Sequence, residues 1–245
     1  MSMRTGPRDR AWLASLGKVA AFVALGILLS VYVVEYPQDG LVARLVTTHK
    51  ILSLAGQHLG IVAVSCALAI LTAIPAGVLL TRPALKQWAP RVVSLVNIGQ
   101  TVPSLAVIAL SVGLLGIGAR TAIIAMWIYS LLPILNNTLV GLDEVDPAIT
   151  EAAHGMGMTL GHVFLKVELP LALPMILAGI RTAVTINIGS AILAAFVGGG
   201  GLGNLIIAGN NISRSQVLVL GAALPVLMAL SADAFFEMLE HRTRV

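Results

Sequence analysis

Polar side chains are few in this sequence, and their spacing limits the chemistry open to them. Arg181 and Asp233 are the ionisable residues set deepest in apolar sequence, and Asn187 is a further polar residue in an apolar run. Gln100, Thr101 and Ser104 flank a proline, Pro103, inside another apolar stretch. His154 and His162 are eight apart with no His-Glu-x-x-His arrangement, so no zinc peptidase centre is expected. No serine, histidine and acid set suggests nucleophilic catalysis. A glycine run, Gly198, Gly199, Gly200, Gly201 and then Gly203, is not followed by the Lys-Ser/Thr of a phosphate-binding loop, and no such loop occurs elsewhere. The chain is therefore expected to have no catalytic residue, no metal and no cofactor of its own.

What positions these residues follows from composition. The 245 residues are 58% hydrophobic and 11% charged, with a mean hydropathy of +0.95. Soluble domains carry about 25% charged residues, so water is not the solvent for most of this surface. The net charge of +4 does not point to nucleic acid, because the cations sit at the ends of apolar runs. The one cysteine, Cys66, lies inside such a run and reads as a small packing residue.

Uncharged stretches give six spans: 19–34, 59–81, within 92–119, within 121–142, within 171–197 and about 216–238. The first is short, with Lys18 expected to snorkel. Its exit, Val-Tyr-Val-Val-Glu-Tyr-Pro, lacks a small-x-small cleavage signal, so it reads as an uncleaved anchor. With the N-terminus in the cytoplasm, one side holds Arg4, Arg8, Arg10, Lys18, Arg82, Lys86, Arg91, Lys166, Arg242 and Arg244, and the other only Arg44, Lys50, Arg120 and Arg214. The imbalance places both termini inside. The expected layout is an all-α membrane protein with a cytoplasmic segment 1–18, a first helix and outer loop 19–58, a core 59–239 and a cytoplasmic tail 240–245.

One connection stands apart, the mixed segment 143–170 on the cytoplasmic side. Asp146 and Pro147 make an N-cap and first helical position. Ile149, Ala152, Ala153 and Met156 follow at helical spacing, and Gly155 and Gly157 end the run. Thr159 opens a second short helix with Leu160, Val163, Phe164 and Val167 on one face, which Pro170 is expected to end. The polar face of the first helix carries Thr150, Glu151 and His154 rather than several cations. That favours a groove on a soluble protein over lipid headgroups.

Glu151-Ala152-Ala153, three residues, Gly157, nine residues, Val167, one residue, Leu169-Pro170: this spaced pattern resembles the EAA loop of permease subunits of bacterial ABC importers. The family usually has Ile where Val167 stands. The resemblance implies a type I importer permease fold, with these residues docking a separate ATPase subunit that binds ATP and magnesium. It also implies a second permease, a copy or a paralogue, and an extracytoplasmic solute-binding protein in a cytoplasmic (inner) membrane. Further stretches, Asn97–Ala106, Val167–Pro174, Ala178–Ala183 and Ala194–Gly203, are similar to osmoprotectant permeases for glycine betaine, choline or carnitine. The glycine run also resembles methionine importers, which stand as the alternative. An ion-coupled secondary transporter is the alternative from another class. It is disfavoured because the second to fourth spans lack ionisable residues.

The path candidates follow. Pro103 removes a helix hydrogen bond, and a broken membrane helix is tolerated where it lines a cavity. Gln100, Thr101, Pro103 and Ser104 therefore either line a pathway or mark a packing kink, with Thr101 and Ser104 placed to satisfy the freed backbone. A quaternary ammonium solute is held by aromatic faces. The sequence offers Trp127, Tyr129 and Phe196, each of which could equally pack or face lipid. Asn187 faces a helix interface or the path. The glycine run is either a gate or packing element or a loose outer loop. Arg181 and Asp233 either pair between two spans or reach separately to the interface.

Overall fold

The computed structural model describes residues 7–243; Arg4 and Arg244, counted above in the charge balance, lie outside them. The described residues form helices α1 (Pro7–Glu35), α2 (Gly40–Leu45), α3 (Thr48–Leu80), α4 (Ala89–Thr101), α5 (Ser104–Leu115), α6 (Ala119–Asp143), α7 (Pro147–Gly155), α8 (Leu160–Val163), α9 (Leu169–Ser190), α10 (Gly203–Asn211) and α11 (Ser215–Thr243), with no strand among them. Five stretches are long and apolar enough to cross a membrane: Trp12–Glu35, Thr48–Leu80, Ala119–Asp143, Leu160–Val197 and Ser215–Glu240. The third expected span is instead two helices, α4 and α5, meeting at 95°.

Whether that bent pair crosses is decided by its neighbours. α3 and α6 run parallel. Trp127 meets Thr72 at 3.0 Å, a β-carbon on Gly77 would touch Thr138, and Lys86 beyond α3 binds Asp143 at the end of α6 at 2.8 Å. The chain between them must therefore travel from one end of the bundle to the other. α9 returns antiparallel to α6, with Arg82 on Glu168 at 2.5 Å at one end and the Gly118 N–H on the Val197 carbonyl at 2.8 Å at the other. α11 lies antiparallel to α1, marked by Lys18 on Glu237 at 2.9 Å and by the Gln38 N–H on Gln216 at 2.6 Å. The bundle thus has six passes. α1 begins and α11 finishes toward the end of the bundle that carries the α7–α8 loop, and the glycine run lies toward the opposite end.

Small residues make the contacts. Hydrocarbon tails are as apolar as leucine, so helices in a bilayer associate through close packing and hydrogen bonds. Ala69, Ala122 and Ala172 are fully buried. A β-carbon on Gly141 would stand 2.8 Å from the Met175 β-carbon, and one on Gly179 2.8 Å from the Pro133 carbonyl. α1, by contrast, turns Leu25, Ile27, Leu28 and Val31 outward, as a lipid-facing helix does.

Three boundaries differ from the sequence expectation. The first span begins at Trp12 rather than at residue 19, and Lys18, half-exposed, is paired with Glu237 of α11. α3 begins at Thr48, whose preceding residue Thr47 accepts the Lys50 N–H, eleven residues before the apolar run. The second short helix does not stop at Pro170. It passes through a wide π turn, Phe164–Glu168, into α9 as one rod. Proline has no N–H, and widening the turn by one residue lets the Leu169 N–H reach the Phe164 carbonyl instead.

At the glycine-run end, Asp39 caps α2 by accepting the Leu41 and Val42 N–H groups at 2.9 Å, and Arg214 pairs with its second oxygen. The Val42 N–H foremost, then Arg214, hold this carboxyl below the usual carboxylate range. A depressed folded value means stabilisation that is complete above about pH 4 and lost as pH falls through the folded value. The expected result is that Asp39→Asn lowers the unfolding midpoint of the detergent-solubilised protein at neutral pH, and that the gap from wild type narrows under acid. A gap independent of pH would contradict this.

Candidate functional site: the docking loop and the broken helix

The loop forms as its caps dictate. Asp146 accepts the Ala148 N–H at 2.8 Å, Pro147 takes the first position, and Thr150 donates to the Pro147 carbonyl at 2.8 Å. α7 stops where the Met158 N–H returns to the Ala153 carbonyl at 3.2 Å and Gly157 swings to φ +82°. A β-carbon on Gly157 would meet nothing within 4 Å, so that position needs glycine for its left-handed backbone rather than for space. Thr159 starts α8 without capping it; its hydroxyl meets His162 at 3.1 Å.

The apolar stripe divides. Ala153 and Val163 are buried, sealing α7 against α8 and the wide turn. Ile149, Met156 and Leu160 stand outward at 45%, 76% and 79% exposure, beside the exposed Glu151 and Ala152. Leu169 and Val167 are half-buried and Pro170 is exposed. Three uncovered apolar residues, with an exposed acidic residue on the same short helix, make a surface suited to a soluble partner's groove.

At the break between α4 and α5, Val102 is extended (ψ 130°). Tyr129 spans the gap: its hydroxyl donates to the Val102 carbonyl, and its own carbonyl accepts Gln100 Nε2 at 2.7 Å. Thr101 turns back to the Ile98 carbonyl at 2.8 Å, and the Ser104 hydroxyl makes no capping bond. The expectation that Thr101 satisfies a freed carbonyl is met at Ile98, while Tyr129 rather than Ser104 serves the Val102 carbonyl. Gln100, Thr101, Pro103, Ser104 and Tyr129 come together.

Trp127 and Asn187 lie apart from that group. Trp127 donates to Thr72. Asn187, fully buried, donates to Ser65 at 3.0 Å and meets Cys66 Sγ at 3.2 Å, while its oxygen has no partner. The sequence reading passed over His58, which is fully buried with Nε2 2.9 Å from the Ile188 carbonyl. Nε2 must therefore carry the proton. The signal was present: Ile51, Leu54, His58, Ile61, Val62 and Ser65 mark one face of α3 at helical spacing.

The glycine run is packed rather than loose. Gly198, Gly200 and Gly201 have φ of +68°, +85° and +86°, the Gly199 N–H binds the Ala194 carbonyl at 2.8 Å, and the Gly201 N–H binds Gln57 Oε1 at 3.1 Å. Leu202 and Gly203 are buried, while Phe196 is 59% exposed. Midway along α9, Arg181 makes a two-pronged contact with Asp233, 2.6 Å and 2.8 Å, and reaches Glu240 at 3.3 Å. The pair is present, so Arg181 does not reach separately to the interface.

Comparison with known proteins completes the description. The binding-protein-dependent transport system inner membrane component family matches residues 73–245. The glycine betaine/carnitine/choline transport system permease protein OpuCB of Bacillus subtilis is 42% identical over 193 residues, 79% of this chain and 88% of that one. The osmoprotectant import permease protein OsmY of Salmonella typhimurium is 40% identical over 229 residues, 93% of this chain and 96% of that one. Among solved structures, an inward-facing conformation of the MetNI methionine ABC transporter superposes with a TM-score of 0.70 over 80% of this chain and 97% of that one. It shares 23% of residues, so this likeness speaks for the fold alone. The chain belongs to the family of binding-protein-dependent transport system inner membrane components and is a multi-pass permease of the inner membrane.

Proposed function

We propose that this permease forms the path for a compatible solute of the glycine betaine, choline or carnitine class, and that its α7–α8 loop couples the path to a separate ATPase subunit. The observation that carries the coupling is the uncovered apolar stripe of Ile149, Met156 and Leu160, with Glu151 exposed on the same short helix, in the loop that follows α6. The loop's end of the bundle is the cytoplasmic one, on the excess of basic residues around it. The ATPase binds ATP and magnesium and grips the loop through Glu151, Ala152, Ala153 and Gly157. A second permease, identical or paralogous, completes the path, and a solute-binding protein delivers from outside. The solute class rests on the two permease relatives, at 42% and 40% identity. The methionine reading has only a likeness of fold behind it.

In this mechanism nucleotide binding draws the ATPase subunits together, the loops follow, and the continuous α8–α9 rod carries the motion into the membrane. Gln100, Thr101, Pro103, Ser104, Tyr129, Trp127 and Asn187 are the residues proposed to meet or shape the path. Weak binding there suits a path that must release its solute, with recognition left to the binding protein.

Co-purification tests the coupling. The native chain is expected to retain its ATPase subunit, and Glu151→Lys to weaken that retention roughly ten-fold or more. Uptake of radiolabelled glycine betaine into proteoliposomes should need internal ATP and the binding protein. Uptake driven by a proton or sodium gradient without ATP would overturn the reading. Uptake of methionine in preference to glycine betaine, choline and carnitine would overturn the solute class.

A further inference from the structure

The wide turn between the docking loop and α9 is more than a way past a proline. Its first and last residues, Phe164 and Glu168, face the same side and hold one cation from another helix. Arg82, just beyond the end of α3, sends Nη2 and Nη1 to the two oxygens of Glu168 at 2.5 Å and 3.3 Å. Its guanidinium carbon lies 5.2 Å from the centre of the Phe164 ring. Its Nε donates back to the Val78 carbonyl at 3.3 Å, one of the carbonyls left free where α3 ends. Each of the three guanidinium nitrogens thereby has a partner, and the planar fork is held at Glu168 from both its terminal nitrogens. Phe164 also packs into the cluster of Leu142, Ala172 and Ile176 with Ile74 and Val78, where α3, α6 and α9 meet.

Geometry makes this a junction. The loop reaches the membrane through α8 and the wide turn, with no flexible linker between. The turn is the one irregular point of that rod before the bilayer, and a π turn is the kind of defect that shifts register at functional sites. Arg82 is the polar contact that joins the turn to the end of α3, beside the packing of Phe164 with Ile74 and Val78.

We infer that Arg82, Glu168 and Phe164 form a coupling joint: the ion pair and the ring lock the wide turn to the end of α3, so that displacement of the docking loop moves α3 and α9 together. These are positioning residues that touch neither nucleotide nor solute. The inference rests on the proposed role of the α7–α8 loop. It predicts that breaking the joint leaves the ATPase subunit bound and hydrolysing while less solute crosses per ATP.

The test uses the complete transporter in proteoliposomes with its binding protein, measuring radiolabelled glycine betaine taken up per ATP hydrolysed. Glu168→Gln and Arg82→Gln are each expected to lower that ratio roughly five-fold or more, in line with the usual size of coupling between sites. ATPase retention should be unchanged, and the double variant should be no worse than either single, because both remove one contact. Phe164→Leu keeps the bulk and loses the ring face, giving a smaller loss of the same kind; it carries the test if the charge variants fail to fold. Wild-type ratios in variants that retain the ATPase, or losses that multiply in the double variant, would overturn the joint. Failure of the native chain to bind an ATPase at all would instead overturn the proposed function.

Discussion

Arg181→Met is expected to abolish transport and to destabilise the chain by about 2–3 kcal/mol, because it takes from Asp233 the guanidinium that it meets through two hydrogen bonds among membrane helices. Removing one partner of a buried pair costs more than the pair contributes, since the remaining charge has lost both water and its counter-ion. The figure is set at the low side because Asp233 keeps 40% of its side chain open. Asp233→Asn should cost less, because Glu240 still faces the guanidinium. The exchange Arg181→Asp with Asp233→Arg should recover part of the loss and not all, as the new carboxylate would stand near Glu240. Unfolding of the detergent-solubilised protein and uptake in proteoliposomes read both effects. An exchange variant no better than the worse of its two singles would remove the pair from the explanation.

Gly203→Ala is the second large effect. A β-carbon there would lie 2.1 Å from the Ile192 carbonyl oxygen and 2.9 Å from the Ala195 β-carbon. Both neighbours are main chain or rigid methyl, so no flexible side chain can swing aside. Overpacking of this kind costs about 1–3 kcal/mol and sometimes more. It should loosen the seat of α10 on the Ala191–Val197 turn. Gly60→Ala is the control. A β-carbon there meets nothing within 4 Å, and alanine in a helix interior is favoured over glycine by roughly 0.5–1 kcal/mol. The unfolding midpoint should fall for the first and hold or rise for the second. Equal behaviour of the two would show that close approach is not what requires Gly203.

The number of passes, the capped start of α7 and the meeting of Arg181 with Asp233 were all legible in the sequence, because each rests on a strong local signal: long uncharged runs, Asp-Pro before an amphipathic stretch, two isolated charges. Misread features share a different cause. Pro103 announced a break and gave no angle, since the direction after an extended Val102 is set by what Tyr129 can reach. Pro170 was read as a stop because a missing N–H normally ends a helix; continuing with a wider turn depends on tertiary support from Arg82, which no window around Pro170 contains. Lys18 was assigned to the headgroups because its partner Glu237 lies at the far end of the chain. The short helices α2 and α10 were too brief to show a period, and only the position of Asp39 hinted at the first. Residues 198–203 could not be told from a loose loop, because what packs against their glycines, Gln57 and the Ile192 carbonyl, is invisible to local pattern.

The unbroken rod from Leu160 to Val197 has 38 residues. At about 1.5 Å per residue it is well over 50 Å long, against roughly 30 Å of hydrocarbon. It therefore stands proud of the bilayer like an oar in its lock, with a blade outside and a shaft within. A tilt of a few degrees about the middle sweeps each tip through a couple of ångströms in opposite directions. In the proposed mechanism, leverage of this kind would turn a modest pull applied in water into a lateral shift on the far side of the membrane, with no need for the helix itself to unwind.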